Sequence, residues 1–194
     1  MKTMIRFSFW VVIMAIAPMV CMAQKSGDQS NGIRLKVKSG NIAYKVTTQG
    51  GKEQVANFIF DDFGNYFRIE MNGECSIADA VANKAYRLYS GTKTYVEEDP
   101  AAVFRALSFF LHTGDNNIAK DYQGFKKLPN QTIADKDCVV FSFTNESRTI
   151  TVARWKGLLF SKETPKESFV ATSFSETIPE NSFTVPADYK LVKN

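Results

Sequence analysis

From Ile33 onward the apolar residues of this chain fall at every second position, and that period commits most of it to β-strands. Ile33, Leu35 and Val37 alternate with Arg34, Lys36 and Lys38; Ile42, Tyr44 and Val46 alternate with Ala43, Lys45 and Thr47. Successive side chains of a strand point to opposite faces, so runs like these bury one face and leave the other in water. The basic stripe beside Leu35 and Val37 reads as a solvated face. Ser39-Gly40-Asn41 allows a bend or bulge, and Gln49-Gly50-Gly51-Lys52 reads as a hairpin turn.

The pattern continues. Val55–Phe60 reads as a strand with Ala56, Phe58 and Phe60 on one face. Asp61-Asp62-Phe63-Gly64-Asn65 is then a turn, because its Asx side chains can bond their own backbone. Its two aspartates do not have the spacing of a calcium loop. Phe67, Ile69 and Met71 face inward on the next strand, and shorter strands are expected at 75–81, 85–89 and 92–96. Residues 113–132 read as irregular, with Tyr122 and Phe125 as isolated anchors. Strands resume at 137–144, 148–156, 158–161 and 168–178, and Phe183, Val185 and Tyr189 follow as spaced anchors among prolines. The sum is roughly nine or ten antiparallel strands around one helical insert.

That insert is the one segment with helical spacing. Asp99 is the N-cap and Pro100 takes the first helical position, where its missing N–H costs nothing. Val103, Phe104, Ala106, Leu107, Phe110 and Leu111 form the apolar stripe, with Arg105, Ser108 and His112 opposite and Gly114 as the stop. Leu107, in mid-stripe, is expected to be the most buried helix residue.

Ahead of the β pattern lie two segments outside the fold. Lys2 and Arg6 precede the uncharged apolar run Phe7–Ala17; Pro18 breaks that run, and Cys21-Met22-Ala23 offers a cleavage site. Residues 1–23 therefore read as a secretory signal peptide, since 11 apolar residues are too few for a membrane span. Lipid attachment at Cys21 is the competing reading, and Val20 just before it argues for simple cleavage after Ala23. Residues 24–32 form a polar leader and 33–194 a single β-rich domain. The protein is then expected in the periplasm or secreted, with no transmembrane span in the mature chain. Removal of the signal leaves 22 basic against 20 acidic residues, too even a balance for a nucleic-acid partner.

Two cysteines survive in the mature chain, Cys75 and Cys138. They read either as one disulfide closing a loop of 62 intervening residues or as two buried thiols. The catalytic repertoire is thin. There is one histidine, His112, on a helix with no acidic neighbour to orient it. No Walker loop, no G-x-G-x-x-G after a strand and no G-x-S-x-G elbow is present. The sequons at Asn130 and Asn145 read as turns. No catalytic residue, metal ligand or cofactor is assigned, and the chain reads as a non-enzyme.

Several short motifs resemble those of a group of small exported proteins of Bacteroides-type bacteria, a domain of unknown function. They are Ser39-Gly40-Asn41-Ile42-Ala43-Tyr44, Asn57–Gly64, Ala134-Asp135-Lys136-Asp137-Cys138, Trp155-Lys156-Gly157-Leu158-Leu159 and Phe183–Lys190. That group in turn resembles the superfamily of LolA, the periplasmic lipoprotein carrier. The resemblance implies a mostly β fold, an incomplete antiparallel β-barrel or strongly curved sheet, with the one main helix as a lid. On that shape the aromatic strand faces make an apolar trough. Phe58, Phe60, Phe67, Phe104, Leu107, Phe110, Leu111 and Trp155 are the candidate residues for binding a lipid or acyl chain, free or on a lipidated protein. The alternative is a structural envelope protein with a filled core and a protein partner.

Overall fold

The computed structural model describes residues 35–107, 110, 124–145 and 148–193. The expected signal peptide (1–23) and leader (24–32), with Leu111, His112, Gly114 and Tyr122, lie outside the described residues. Twelve strands form one sheet among the described residues. The first six make a meander: β1 (Gly40–Thr48), β2 (Glu53–Asp61), β3 (Tyr66–Met71), β4 (Glu74–Asp79), β5 (Lys84–Tyr89) and β6 (Thr94–Glu98). Helix α1 (Pro100–Leu107) follows. A second run then comprises β7 (Lys126–Ile133), β8 (Lys136–Asn145), β9 (Arg148–Trp155), β10 (Leu158–Glu163) and β11 (Glu167–Ser175), and the two-residue β12 (Lys190–Leu191) closes the series.

The spatial order is β12-β6-β5-β4-β3-β2-β1-β11-β10-β9-β8-β7. The two runs are therefore joined along one seam, where β1 pairs antiparallel with β11 from Asn41↔Ser175 to Thr48↔Glu167. The sheet is strongly curved and unclosed. Its curvature brings β7 back beside β11, although three strands separate them in the ladder. The one parallel pairing joins β12 to β6.

The turns have the chemistry their sequences require. Asp61 Oδ1 accepts the Asp62 N–H at 2.8 Å, and Asn65 Nδ2 donates to Asp62 Oδ2 at 2.7 Å. Between β9 and β10 the two-residue turn Lys156-Gly157 has positive φ at both positions, 49° and 86°, the twist that suits a tight hairpin. Gly40 is needed for a different reason. A Cβ there would lie 2.7 Å from the rings of both Phe60 and Phe174, so only glycine lets the strand approach them.

Three expectations are corrected. Residues 35–39 form bends, not a strand, yet Leu35 and Val37 are buried while Lys36 and Lys38 are exposed. The backbone partner here is the 62–64 turn: Leu35 N–H donates to Phe63 O and Phe63 N–H to Lys38 O. Lys126–Thr132 is part of β7 and is not irregular. As an edge strand paired only to β8, it is exposed along most of its length and shows no apolar alternation. Pro129 falls where its register shifts, a position an edge tolerates. Asn130 consequently lies in β7 and not in a turn; its side chain donates to Asp137. Of the two readings of the cysteines, that of buried thiols holds: Cys75 and Cys138 are unpaired. They stand in β4 and β8, well apart in the ladder, and pack in separate apolar clusters.

Candidate functional site

The sheet register collects one aromatic face. Phe58 pairs across strands with Ile42 and Ile69, and Phe60 with Gly40 and Phe67. Beyond the seam Phe169 pairs with Val46. Because cross-strand partners share a face, these residues form a continuous apolar surface. Phe58, Phe60 and Phe67 have no exposed area at all.

Helix α1 lies on this face against β4 and β5. Its start is as the sequence implies: the Ala101 N–H donates to Asp99 Oδ1 at 3.0 Å, which satisfies one of the free donors of the first turn. The helix buries Val103, Phe104 and Leu107. Val103 is 2% and Leu107 3% exposed, so the two share the deepest position. Phe104 meets Phe67 edge-on at 5.8 Å between ring centroids. Phe110 stacks on Phe58 at 5.4 Å and contacts Tyr44 at 5.9 Å and Phe169 at 6.2 Å.

Of the residues chosen from sequence, Phe58, Phe60, Phe67, Phe104, Leu107 and Phe110 are thus brought together. Leu111 lies outside the described residues. Trp155 lies at the margin of the same core, at the end of β9, where it contacts Phe160 at 5.8 Å and Phe174 at 5.2 Å.

Polar groups at this face were not singled out from sequence. A β-bulge shifts the β9–β10 register between Leu159 and Ser161 and leaves Phe160 without a cross-strand partner, next to the Leu159 peptide. Its N–H donates to Phe110 O at 3.0 Å, and its carbonyl accepts the Tyr44 hydroxyl at 2.7 Å. Phe110, just beyond α1, is fastened to the sheet there. Burial pushes the Tyr44 phenol far above its usual range, so it stays a neutral donor.

Lys162 is 2% exposed and pairs with Glu167. Burial lowers the Lys162 ammonium, and Glu167 opposes that shift. The sequence carried no sign of this, since Leu158–Lys162 are all buried and a bulge breaks the period between Leu159 and Ser161.

The opposite face carries a second cluster on the first run of strands. Cys75, Ile77 and Leu88 are covered there by Phe183, Val185 and Tyr189 from the C-terminal segment, with Tyr86 and Tyr95 beside them. Arg68 donates to Ser182 O at 2.9 Å, Lys93 pairs with Asp188 at 2.7 Å, and the Tyr66 and Phe183 rings lie 5.6 Å apart. Burial pushes the Cys75 thiol up to about 12 and the Cys138 thiol up to about 11; both are held as inert thiols.

Among the described residues no group of three or more His, Cys, Asp or Glu side chains is placed to hold a metal ion. No helix among them is long and apolar enough to cross a membrane.

No family model matches the sequence, and no curated protein matches it. The resemblance to the exported group therefore stands on its motifs alone. Solved structures do resemble the fold. An uncharacterized conserved protein from Thermus thermophilus is similar at a TM-score of 0.53 and 7% identity, over 82% of this chain and 92% of that one. The Pseudomonas aeruginosa MucA/MucB complex contains a chain similar at 0.47 and 12% identity, over 80% of this chain and 58% of that one. The LolA superfamily protein NE2245 from Nitrosomonas europaea is similar at 0.29 and 14% identity, over 80% and 94%. This chain spans about a third of another structure it resembles, PNGF-II. The Thermus likeness supports the fold; the rest, below a TM-score of 0.5, carry no weight for function.

Proposed function

We propose that this is a non-catalytic protein of the cell envelope that binds an apolar chain, a lipid or the acyl group of a lipidated protein, between the aromatic sheet face and α1. The observation that carries the reading is one of extent. Among the described residues helix α1 has eight residues, about 12 Å at 1.5 Å per residue, and it rests on β4 and β5. The apolar face runs on through β3, β2 and β1 and across the seam to Phe169 on β11. Phe110 covers part of that stretch and the rings beneath it are buried, so an apolar chain would enter as α1 and Phe110 lift from the face as a lid; burial of apolar ligand surface stabilises such a complex by about 25 cal/mol per Å² before association costs. Export to the periplasm or beyond belongs to the same proposal and is supported by the signal-like first 23 residues.

The test is uptake of a fluorescent fatty acid. Wild type is expected to bind it, and Leu107→Asp to weaken binding while the sheet stays folded by circular dichroism. A wild type that takes up no apolar probe would remove the reading.

One observation favours a second reading, a structural protein with a filled core and a protein partner. The rings of Phe58, Phe67, Phe104 and Phe110 already contact one another at 5.4–5.9 Å. A native mass spectrum of protein from its own host separates the two: bound lipid supports the first, and a bound protein without lipid the second.

A further inference from the structure

Several motifs of the sequence meet at one end of the sheet, at the margin of the aromatic face, where the antiparallel register gathers them. Gly40 opens β1 between Phe60 and Phe174. Lys136 opens β8, Trp155 ends β9, and Lys156-Gly157 turns into β10. The 62–64 turn, tipped by the exposed Phe63, lies at the same end.

The centre of this corner is Trp155. Lys156 Nζ sits 4.7 Å and Lys136 Nζ 5.0 Å from the centroid of its ring, and Lys136 Nζ is also 5.1 Å from Phe174. The two ammonium groups are therefore less than about 10 Å apart. Neither is in an ion pair among the described residues. Asp137, next in β8, alternates to the other face and takes the Asn130 amide; Asp135 sits exposed at the turn itself.

Trp155 and Phe174 are half-buried and rest on the fully buried Phe160. The corner thus presents two lysines held by one indole, an apolar shoulder, and, among the described residues, no carboxylate paired to either cation.

We propose that this corner, Trp155 with Lys136, Lys156 and Phe174, is a docking surface for an anionic bilayer, with the two lysines receiving lipid headgroup phosphate. The chemistry fits on two counts. Amphipathic indole rings settle at the membrane–water boundary, and each lysine near an anionic surface adds attraction. Because ammonium groups already lie against the indole, the ring positions cations and is not left open for a stacked sugar. The inference deepens the proposed envelope function by naming where such a protein meets a membrane.

The test is vesicle flotation with purified protein. Wild type should bind vesicles of phosphatidylcholine with about a third phosphatidylglycerol, weaken with added salt, and bind pure phosphatidylcholine poorly. The variant K136Q/K156Q should lose affinity roughly thirty-fold, with an unchanged thermal midpoint and unchanged fatty-acid uptake. K52Q/K127Q, at lysines away from this corner, should bind as wild type. If the double variant does not fold, K156Q alone, at an exposed turn position, should show about a fivefold loss. Equal binding by wild type and variant, or no preference for the anionic vesicles, would overturn the proposal. So would a response of Trp155 fluorescence to inorganic phosphate without vesicle binding, which would assign the site to a soluble phosphate. Loss of fatty-acid uptake with vesicle binding intact would count against the apolar-chain reading and leave this one standing.

Discussion

The two faces of the first six strands are both closed by chain that follows them, but in different ways. On one face α1 and Phe110 press rings against rings, and the principal residues there have no exposed surface. On the other, a segment without regular structure crosses Cys75, Ile77 and Leu88, held by Phe183, Val185 and Tyr189 and by a few polar links. The first closure is a packed interior, in which any change of volume is felt. The second is an apolar strap with a wet margin, in which single contacts can loosen without opening the rest.

That contrast can be broken at several points. The largest effect should come from Phe58→Ala, which removes a ring in contact with Phe60, Phe67 and Phe110; a loss of about 3–5 kcal/mol is expected in urea unfolding. A loss below about 1 kcal/mol would mean that the aromatic face is loosely filled. Gly40→Ala puts a methyl group against two rings and should cost about 1–3 kcal/mol; neutrality would show that Phe174 swings away freely.

High pH separates the faces differently. In the unfolded chain both thiols ionise near pH 9, whereas the fold holds Cys75 protonated to about 12 and Cys138 to about 11. Stability from these groups is complete below pH 9 and falls as pH rises toward those values, at up to about 1.4 kcal/mol per pH unit for a fully buried thiol. Lys162, lowered by burial, acts in the opposite sense: its unfavourable contribution is relieved as pH rises toward 10.5. Cys75→Ala should flatten the decline above about pH 11 more than Cys138→Ala does, and identical titration curves would contradict that order. On the strap, Phe183→Ala should cost only about 1 kcal/mol while accelerating proteolysis near the C-terminus. Lys93→Ala, at an exposed pair, should leave the unfolding midpoint unchanged; a clear shift would make the strap more than an apolar cover.

The packed face was largely legible in the sequence. Ala56, Phe58 and Phe60 alternate without a break, as do Phe67, Ile69 and Met71, and Asp99-Pro100 marks the helix start by capping chemistry alone. The strap was legible only as three spaced anchors, because what Phe183 and Tyr189 cover depends on strand order, which no local period encodes. The same gap left the cysteines ambiguous: 62 intervening residues fit a bridge or none until β4 and β8 are set well apart in the sheet. Strand β7 went unread because an edge paired on one side needs no apolar alternation. The corner around Trp155 was visible as a motif but not as a site, since Lys136 reaches that ring only through the β8–β9–β10 register.

The seam between β1 and β11 has a consequence in time. Strands β1 to β6 can pair with their sequence neighbours as soon as they exist, but the second edge of β1 is answered only by residues 119 or more positions later, from Thr48↔Glu167 to Asn41↔Ser175. Such long-range closure favours slow folding, since the loop entropy is lost before the contact forms. Until β11 arrives, β1 presents an open edge and Tyr44 lacks the Leu159 carbonyl that accepts its hydroxyl. In this protein the earliest strand to emerge is among the last to be completed, and an interval of exposed edge is built into every folding event.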